Sequence, residues 1–172
     1  SAERDSLITQ FYSSFQQLDA KGMNACYSGD IVFFDPAFGL LKGDEVRGMW
    51  AMLCANAKDF SLQFGNIQHL DEEYSTCDWT ATYTFSKTGR KVINKIKANM
   101  RFADGKIIEH SDAFSLHKWA SQALGFTDGS WAGTVFFKED TERGEEEPDA
   151  VHGEVVDGSW IMVHSILPLT MN

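Results

Sequence analysis

The sequence predicts an α+β fold in which a long antiparallel sheet curls over helices that come first in the chain. Three observations carry this expectation. Apolar residues recur at helical spacing up to Ala57, they alternate with polar ones from Phe60 to Phe114, and aspartate, proline and glycine mark the turns between segments. A sheet curled in this way encloses a cavity.

Leu7, Ile8, Phe11, Phe15 and Leu18 stand at helical spacing, with Ser6 in position to cap the first turn. A shorter helix is expected around Met23 to Tyr27. A brief strand from Ile31 to Phe34 then stops at Asp35-Pro36, because proline has no amide to donate and biases its predecessor toward extended geometry. Ala37-Phe38-Gly39 continues that turn. Val46, Met49, Trp50, Leu53, Cys54 and Ala57 follow the i, i+3, i+4 template and make Asp44 to Ala57 the clearest helix in the chain.

Phe60, Leu62 and Phe64 alternate until Gly65 resets the phase ahead of Ile67, as in a bulged strand. Cys77, Trp79, Ala81, Tyr83 and Phe85 form the next apolar face. After a turn at Lys87 to Lys91, Val92, Asn94, Ile96, Ala98, Met100 and Phe102 share one side of a strand whose other side carries Lys95, Lys97, Asn99 and Arg101. Asp104-Gly105 signals a hairpin, and the strand Ile107 to Phe114 returns with Ile108, His110, Asp112 and Phe114 on one face. A short helix then ends at Gly125. Beyond it, Thr134 to Phe137 and Glu154 to Leu167 read as strands joined by a glutamate-rich loop from Lys138 to Asp149.

A chain of 172 residues, 43% of them hydrophobic, suits one principal core and excludes both wholesale disorder and a disulfide-dependent miniprotein. Cys26, Cys54 and Cys77 form no CxxC pair, so neither a disulfide framework nor a zinc cluster is expected, and a reducing, cytoplasmic setting fits. The net charge is −10, of which −8 falls in residues 126–172. Nucleic-acid phosphate and anionic membranes would repel such a chain. Its longest uncharged stretch, Gly158 to Asn172, is shorter than the roughly 18 apolar residues of a membrane span, and the first thirty residues show no signal pattern. His69, His110, His117, His152 and His164 show no ligand spacing, so no metal is expected.

The order of elements, Cys26-Tyr27-Ser28-Gly29-Asp30-Ile31-Val32-Phe33-Phe34-Asp35-Pro36, Lys42-Gly43 before the long helix, and Met100-Arg101-Phe102 with Gly105-Lys106-Ile107 resemble the nuclear-transport-factor-2-like superfamily. Ile108-Glu109-His110-Ser111-Asp112 through Trp119, Gln122, Leu124 and Gly125 resembles its SnoaL-like polyketide cyclase branch. The resemblance implies a cone-shaped curved antiparallel sheet around the N-terminal helices, a cystatin-like α+β barrel over residues 1–125; residues 126–172 read, from their own charge and pattern, as an acidic C-terminal β extension. It also implies a hydrophobic pocket, a homodimer and no required cofactor.

Asp35 matches the proton-shuttling aspartate of ketosteroid isomerases, whereas their two oxyanion donors fall on Phe11 and Ala98 here, which disfavours steroid-type isomerisation. The Arg-x-Asp pattern of limonene-epoxide hydrolases is replaced by Ile96 and Ala98, and the catalytic aspartate of SnoaL-like cyclases falls on Ser115, with Asp112 just before it.

The candidates for chemistry are therefore Asp35 as general base, His110 as acid or proton relay, and Asp112 orienting the imidazole. The bland alternatives are a turn-capping Asp35 and a self-satisfied buried His110–Asp112 pair. Ser111 cannot complete a triad with its neighbours, because adjacent residues on a strand face opposite ways. Phe11, Phe15, Trp50, Trp79, Tyr83, Asn94, Ala98, Met100 and Phe114 are the expected pocket lining, though most of the apolar ones also read as core. The expected partner is a small apolar organic ligand handled by cofactor-independent acid/base chemistry of the isomerase, cyclase, dehydratase or hydrolase type. The alternative is a non-catalytic binding or dimeric assembly domain. The basic outer face around Lys87, Arg90, Lys91, Lys95, Lys97 and Arg101 would be the dimer surface, and nucleic acid is not expected there.

Overall fold

The structure, a computed structural model, describes residues 1–125 and the strands Val151–Val156 and Ser159–His164. Helix α1 (Ala2–Gln16) is followed by α2 (Ala20–Asn24), strands β1 (Tyr27–Asp35) and β2 (Gly39–Lys42), and helix α3 (Asp44–Asn56). Then come β3 (Ser61–His69), β4 (Tyr74–Phe85), β5 (Arg90–Ala103), β6 (Lys106–Ala113), helix α4 (Leu116–Leu124), and the strands β7 (Val151–Val156) and β8 (Ser159–His164). Six strands form one curved, unclosed sheet in the order β2-β1-β6-β5-β4-β3, and β7 and β8 pair in a second sheet.

Several expectations change in detail. The cap of α1 is Ser1, whose hydroxyl accepts from the Arg4 amide, so Ser6 lies inside the helix. The second helix is earlier than expected and Tyr27 already belongs to β1. Gly39, read as the end of the turn, instead opens a strand, Gly39 to Lys42, that pairs antiparallel with β1 as an edge strand. The sheet is mixed, since β1 lies parallel to β6 while the other pairings are antiparallel. That parallel pairing joins strands distant in sequence, which local alternation cannot reveal. A register shift after Arg101 sends Ile107, rather than Ile108, into the core. The segment Glu154 to Leu167 is not one strand, because it holds the end of β7 and the whole of β8, which pair antiparallel. Thr134 to Phe137 and the glutamate-rich loop lie outside the described residues.

The inner face of the main sheet is best followed as rows running across the strands. Phe33, His110, Met100 and Ser75 form one row. The next contains Asp112, Ala98 and Cys77, and continuing the parallel register of β1 brings Asp35 beside Asp112. A third row holds Ile96, Trp79 and Phe64, and a fourth holds Asn94, Ala81 and Leu62.

Helix α1 fills the first rows. Its Phe11 ring stands 5.5 Å from His110 and 5.2 Å from Tyr27, and Tyr12 stands 5.4 Å from Phe64. Burying an aromatic side chain this completely contributes about 2–3 kcal/mol. Phe15, one residue before the end of α1, stacks on Phe60 and reaches Trp50 and Trp79. The helix stops there, and the space beyond it is bounded by α3 and α4. At α4, β6 has ended and the edge of β5 is open, so Gln122 acts as a stand-in strand, accepting from the Ile93 amide at 2.8 Å and donating to its carbonyl at 3.0 Å. Gly125 ends α4 in the left-handed conformation, φ 79°.

Lys95, Lys97 and Asn99 point outward as expected, and part of this basic face is matched within the chain: Lys97 lies 3.5 Å from Asp78, and Arg101 pairs with Glu73 and Glu109. No described helix is long and apolar enough to cross a membrane.

Candidate active site

Between Phe15 and α4 the bowl keeps a cavity of about 170 Å³. Its walls come from the sheet, from Trp50, Met49 and Leu53 of α3, from Ala37 and Phe38 of the turn after β1, and from Trp119 of α4. Of the sequence candidates, Asp35, Asp112, Phe15, Trp50, Trp79, Tyr83, Asn94 and Phe114 line it.

Phe11, Ala98, Met100 and His110 do not. Phe11, on α1 itself, and Ala98, Met100 and His110, in the rows that α1 covers, are fully or almost fully buried, so they belong to the packed core beneath the cavity floor. Alternation placed the three strand residues on the inner face, but only the reach of the helix decides which part of that face stays open. Met49, Leu53, Ala81 and Trp119 line the cavity without having been singled out.

Asp35 is 7% exposed. Its Oδ1 accepts from the amides of Ala37 and Phe38, the Asx turn that an aspartate before proline favours. Oδ2 makes no hydrogen bond with the described residues. Burial pushes this carboxyl from an ordinary 3.8 up to about 7. The Phe38 amide resists the shift, the neighbouring Asp112 carboxylate reinforces it, and the Ala37 amide and His110 oppose it more weakly.

Asp112 sits at the end of a buried chain of hydrogen bonds. Trp50 Nε1 donates to the Tyr27 hydroxyl at 2.9 Å, and that hydroxyl lies 2.7 Å from His110 Nδ1. His110 Nε2 lies 2.9 Å from Asp112 Oδ1, which also accepts from Trp79 Nε1 at 3.3 Å. A carboxylate can only accept, so in the neutral imidazole Nε2 carries the proton toward Asp112 and Nδ1 accepts from the Tyr27 phenol. His110 therefore stands behind Asp112, off the cavity, with its Nε2 against that carboxylate. Tyr27 was passed over in the sequence, although its parity with Ile31, Phe33 and Asp35 marks it as inward-facing.

A second Ser–His–Asp set occurs elsewhere: His69 Nδ1 is 2.7 Å from Ser75 Oγ and Nε2 is 2.9 Å from Asp5. Ser75 is fully buried and also accepts from Arg4, so this set ties α1 to β3 and β4 and exposes no nucleophile. Among the described residues no group of three His, Cys, Asp or Glu side chains is placed to hold a metal ion.

Residues 8–110 match the family described as the SnoaL-like domain. A comparison with curated proteins found no significant match. Among solved structures, AclR of Streptomyces galilaeus, assigned as a hydroxylase, superposes with TM-score 0.63 at 22% identity over 74% of this chain and 88% of its own. IdmH of Streptomyces antibioticus, assigned as a polyketide cyclase, gives 0.59 at 20% identity over 71% and 98%. TerC, crystallised with polyporic acid, gives 0.62 at 15% identity over 70% and 98%. At these identities the likeness is one of fold.

Proposed function

As the chain belongs to the SnoaL-like domain family, we propose that it takes a small, largely apolar organic molecule into the cone and moves a proton on it, with Asp35 as the acid/base group. The observation that carries this is a carboxyl buried in an apolar cavity, one oxygen held by the turn and the other unpaired among the described residues, with a pKa of about 7. Such a group is divided between acid and base at neutral pH, where it can both accept and return a proton. Asp112, fixed by His110 and Trp79, supplies the neighbouring charge that helps to keep Asp35 in this range. Proton transfer by this carboxyl needs no cofactor.

The size of the cavity limits the ligand. A dry protein cavity of roughly 150 Å³ takes a benzene ring, so about 170 Å³ suits one or two fused rings, with any larger scaffold extending through the mouth. TerC's co-crystallised ligand and IdmH's assignment accord with an organic ligand in a cone of this fold.

The test is exchange of acidic C–H protons. A panel of enolisable cyclic ketones in D₂O is expected to gain deuterium faster with the protein than without it, and Asp35→Asn is expected to abolish the gain while the fold survives. Equal exchange by wild type and D35N removes Asp35 from the chemistry. Binding without exchange leaves the second reading, a non-catalytic binding domain, favoured by the turn-capping role that Asp35 Oδ1 already fills.

A further inference from the structure

The polar groups at the far end of the cavity have no function in the reading above. Asn94 is 9% exposed, lines the cavity, and its side-chain amide has no hydrogen-bond partner among the described residues. The amide opens onto the cavity, so a ligand there can take up the hydrogen bonds that the fold leaves unused. On the neighbouring strand, Ala81 is directly opposite Asn94 and Tyr83 follows two residues later on the same face. The Tyr83 hydroxyl accepts from Trp119 Nε1 at 2.6 Å. An indole cannot accept, so the tyrosine's own proton is still unassigned. Diagonal neighbours in an antiparallel pair stand about 7–8 Å apart, within joint reach of an amide and a phenol aimed at one atom.

We infer that Asn94 and Tyr83 form a carbonyl-binding subsite, two donors for one acceptor oxygen on a cyclic ketone or quinone. This rests on the cavity being a ligand site, as proposed above. Asp112 pairs with Ala98, four residues along β5 from Asn94. At a rise of about 3.4 Å per residue, roughly 14 Å of strand separates the two levels. The carbonyl held here is therefore at the end of the ligand remote from the carboxyl pair. The apolar body lies between, over Ile96 and Trp79 and against Trp50 of α3. Burial holds the Tyr83 phenol up at about 12, so it remains a donor at any physiological pH. The ligand class is thus a flat, fused-ring compound with an oxo group distal to its reacting carbon.

The experiment compares 1-tetralone with tetralin, which share a skeleton and differ in the oxo group, by calorimetry on the full chain. Wild type is expected to bind 1-tetralone about tenfold more tightly, the ordinary worth of such hydrogen bonds. Asn94→Leu and Tyr83→Phe should each cut that preference to about threefold or less while leaving tetralin bound. Asn94→Ala repeats the test should the leucine variant fold poorly. Equal affinities in wild type, or a preference untouched by both substitutions, overturn the subsite and leave the cavity reading standing. Failure of both compounds to bind removes the cavity reading and the subsite with it.

Discussion

The Tyr27 hydroxyl lies 2.7 Å from Nδ1 of His110 while accepting a hydrogen bond from Trp50 Nε1, and His110 Nε2 in turn faces Asp112 Oδ1 at 2.9 Å. Four residues on four elements, α3, β1, β6 and β4, thereby converge on a single carboxylate at the cavity wall.

Breaking that contact is expected to be costly. Tyr27→Phe leaves Trp50 Nε1 without an acceptor and His110 Nδ1 without a donor, both buried. At about 1–3 kcal/mol for each orphaned group, urea unfolding should show a loss of roughly 2–6 kcal/mol. A loss below about 0.5 kcal/mol would show that the phenol is not what satisfies these two groups.

Stability should depend on pH through Asp35. In the unfolded chain it ionises near 3.8, in the fold at about 7, so between these values the folded state holds an extra proton. The contribution of this group is complete below pH ~4 and is lost as pH rises to ~7, by roughly 4 kcal/mol at most. The side chain introduced by Asp35→Asn has no proton to lose and can still accept from both turn amides. Thermal stability across this range should therefore fall more steeply for wild type than for D35N, and parallel curves would contradict the raised value.

Asp112→Asn removes the negative charge beside Asp35 and should move its titration down from about 7. Carbon-13 chemical shifts of the Asp35 carboxyl, or the pH profile of deuterium exchange, would read this. An unchanged midpoint would show that desolvation alone sets the value.

Ala81 lines the cavity floor opposite Asn94 and is 3% exposed. Ala81→Leu should fill space that is now empty, weakening tetralin binding at least ~10-fold while changing stability by less than about 1.5 kcal/mol. Undiminished binding would place the ligand elsewhere.

The long helix, the alternating strands and the Asp104-Gly105 hairpin were legible because each depends on periodicity or turn chemistry within a few residues. The same alternation brought Asp35, Asp112 and Asn94 to the inner face. It could not separate cavity from core: Asn94, Ala98 and Met100 are equivalent in sequence pattern, yet α1 covers the last two and stops short of the first. Nor could it bring Asp35 beside Asp112, because that depends on β1 lying parallel to β6 in a particular register.

By itself, then, the sequence determined most of the inward-facing residues, since side-chain direction follows from backbone period wherever no register shift intervenes, as one does ahead of Ile107. The tertiary structure alone decided which of them meet a ligand and which carboxyls share a field, because helix reach, strand order and burial depend on parts of the chain far apart in sequence.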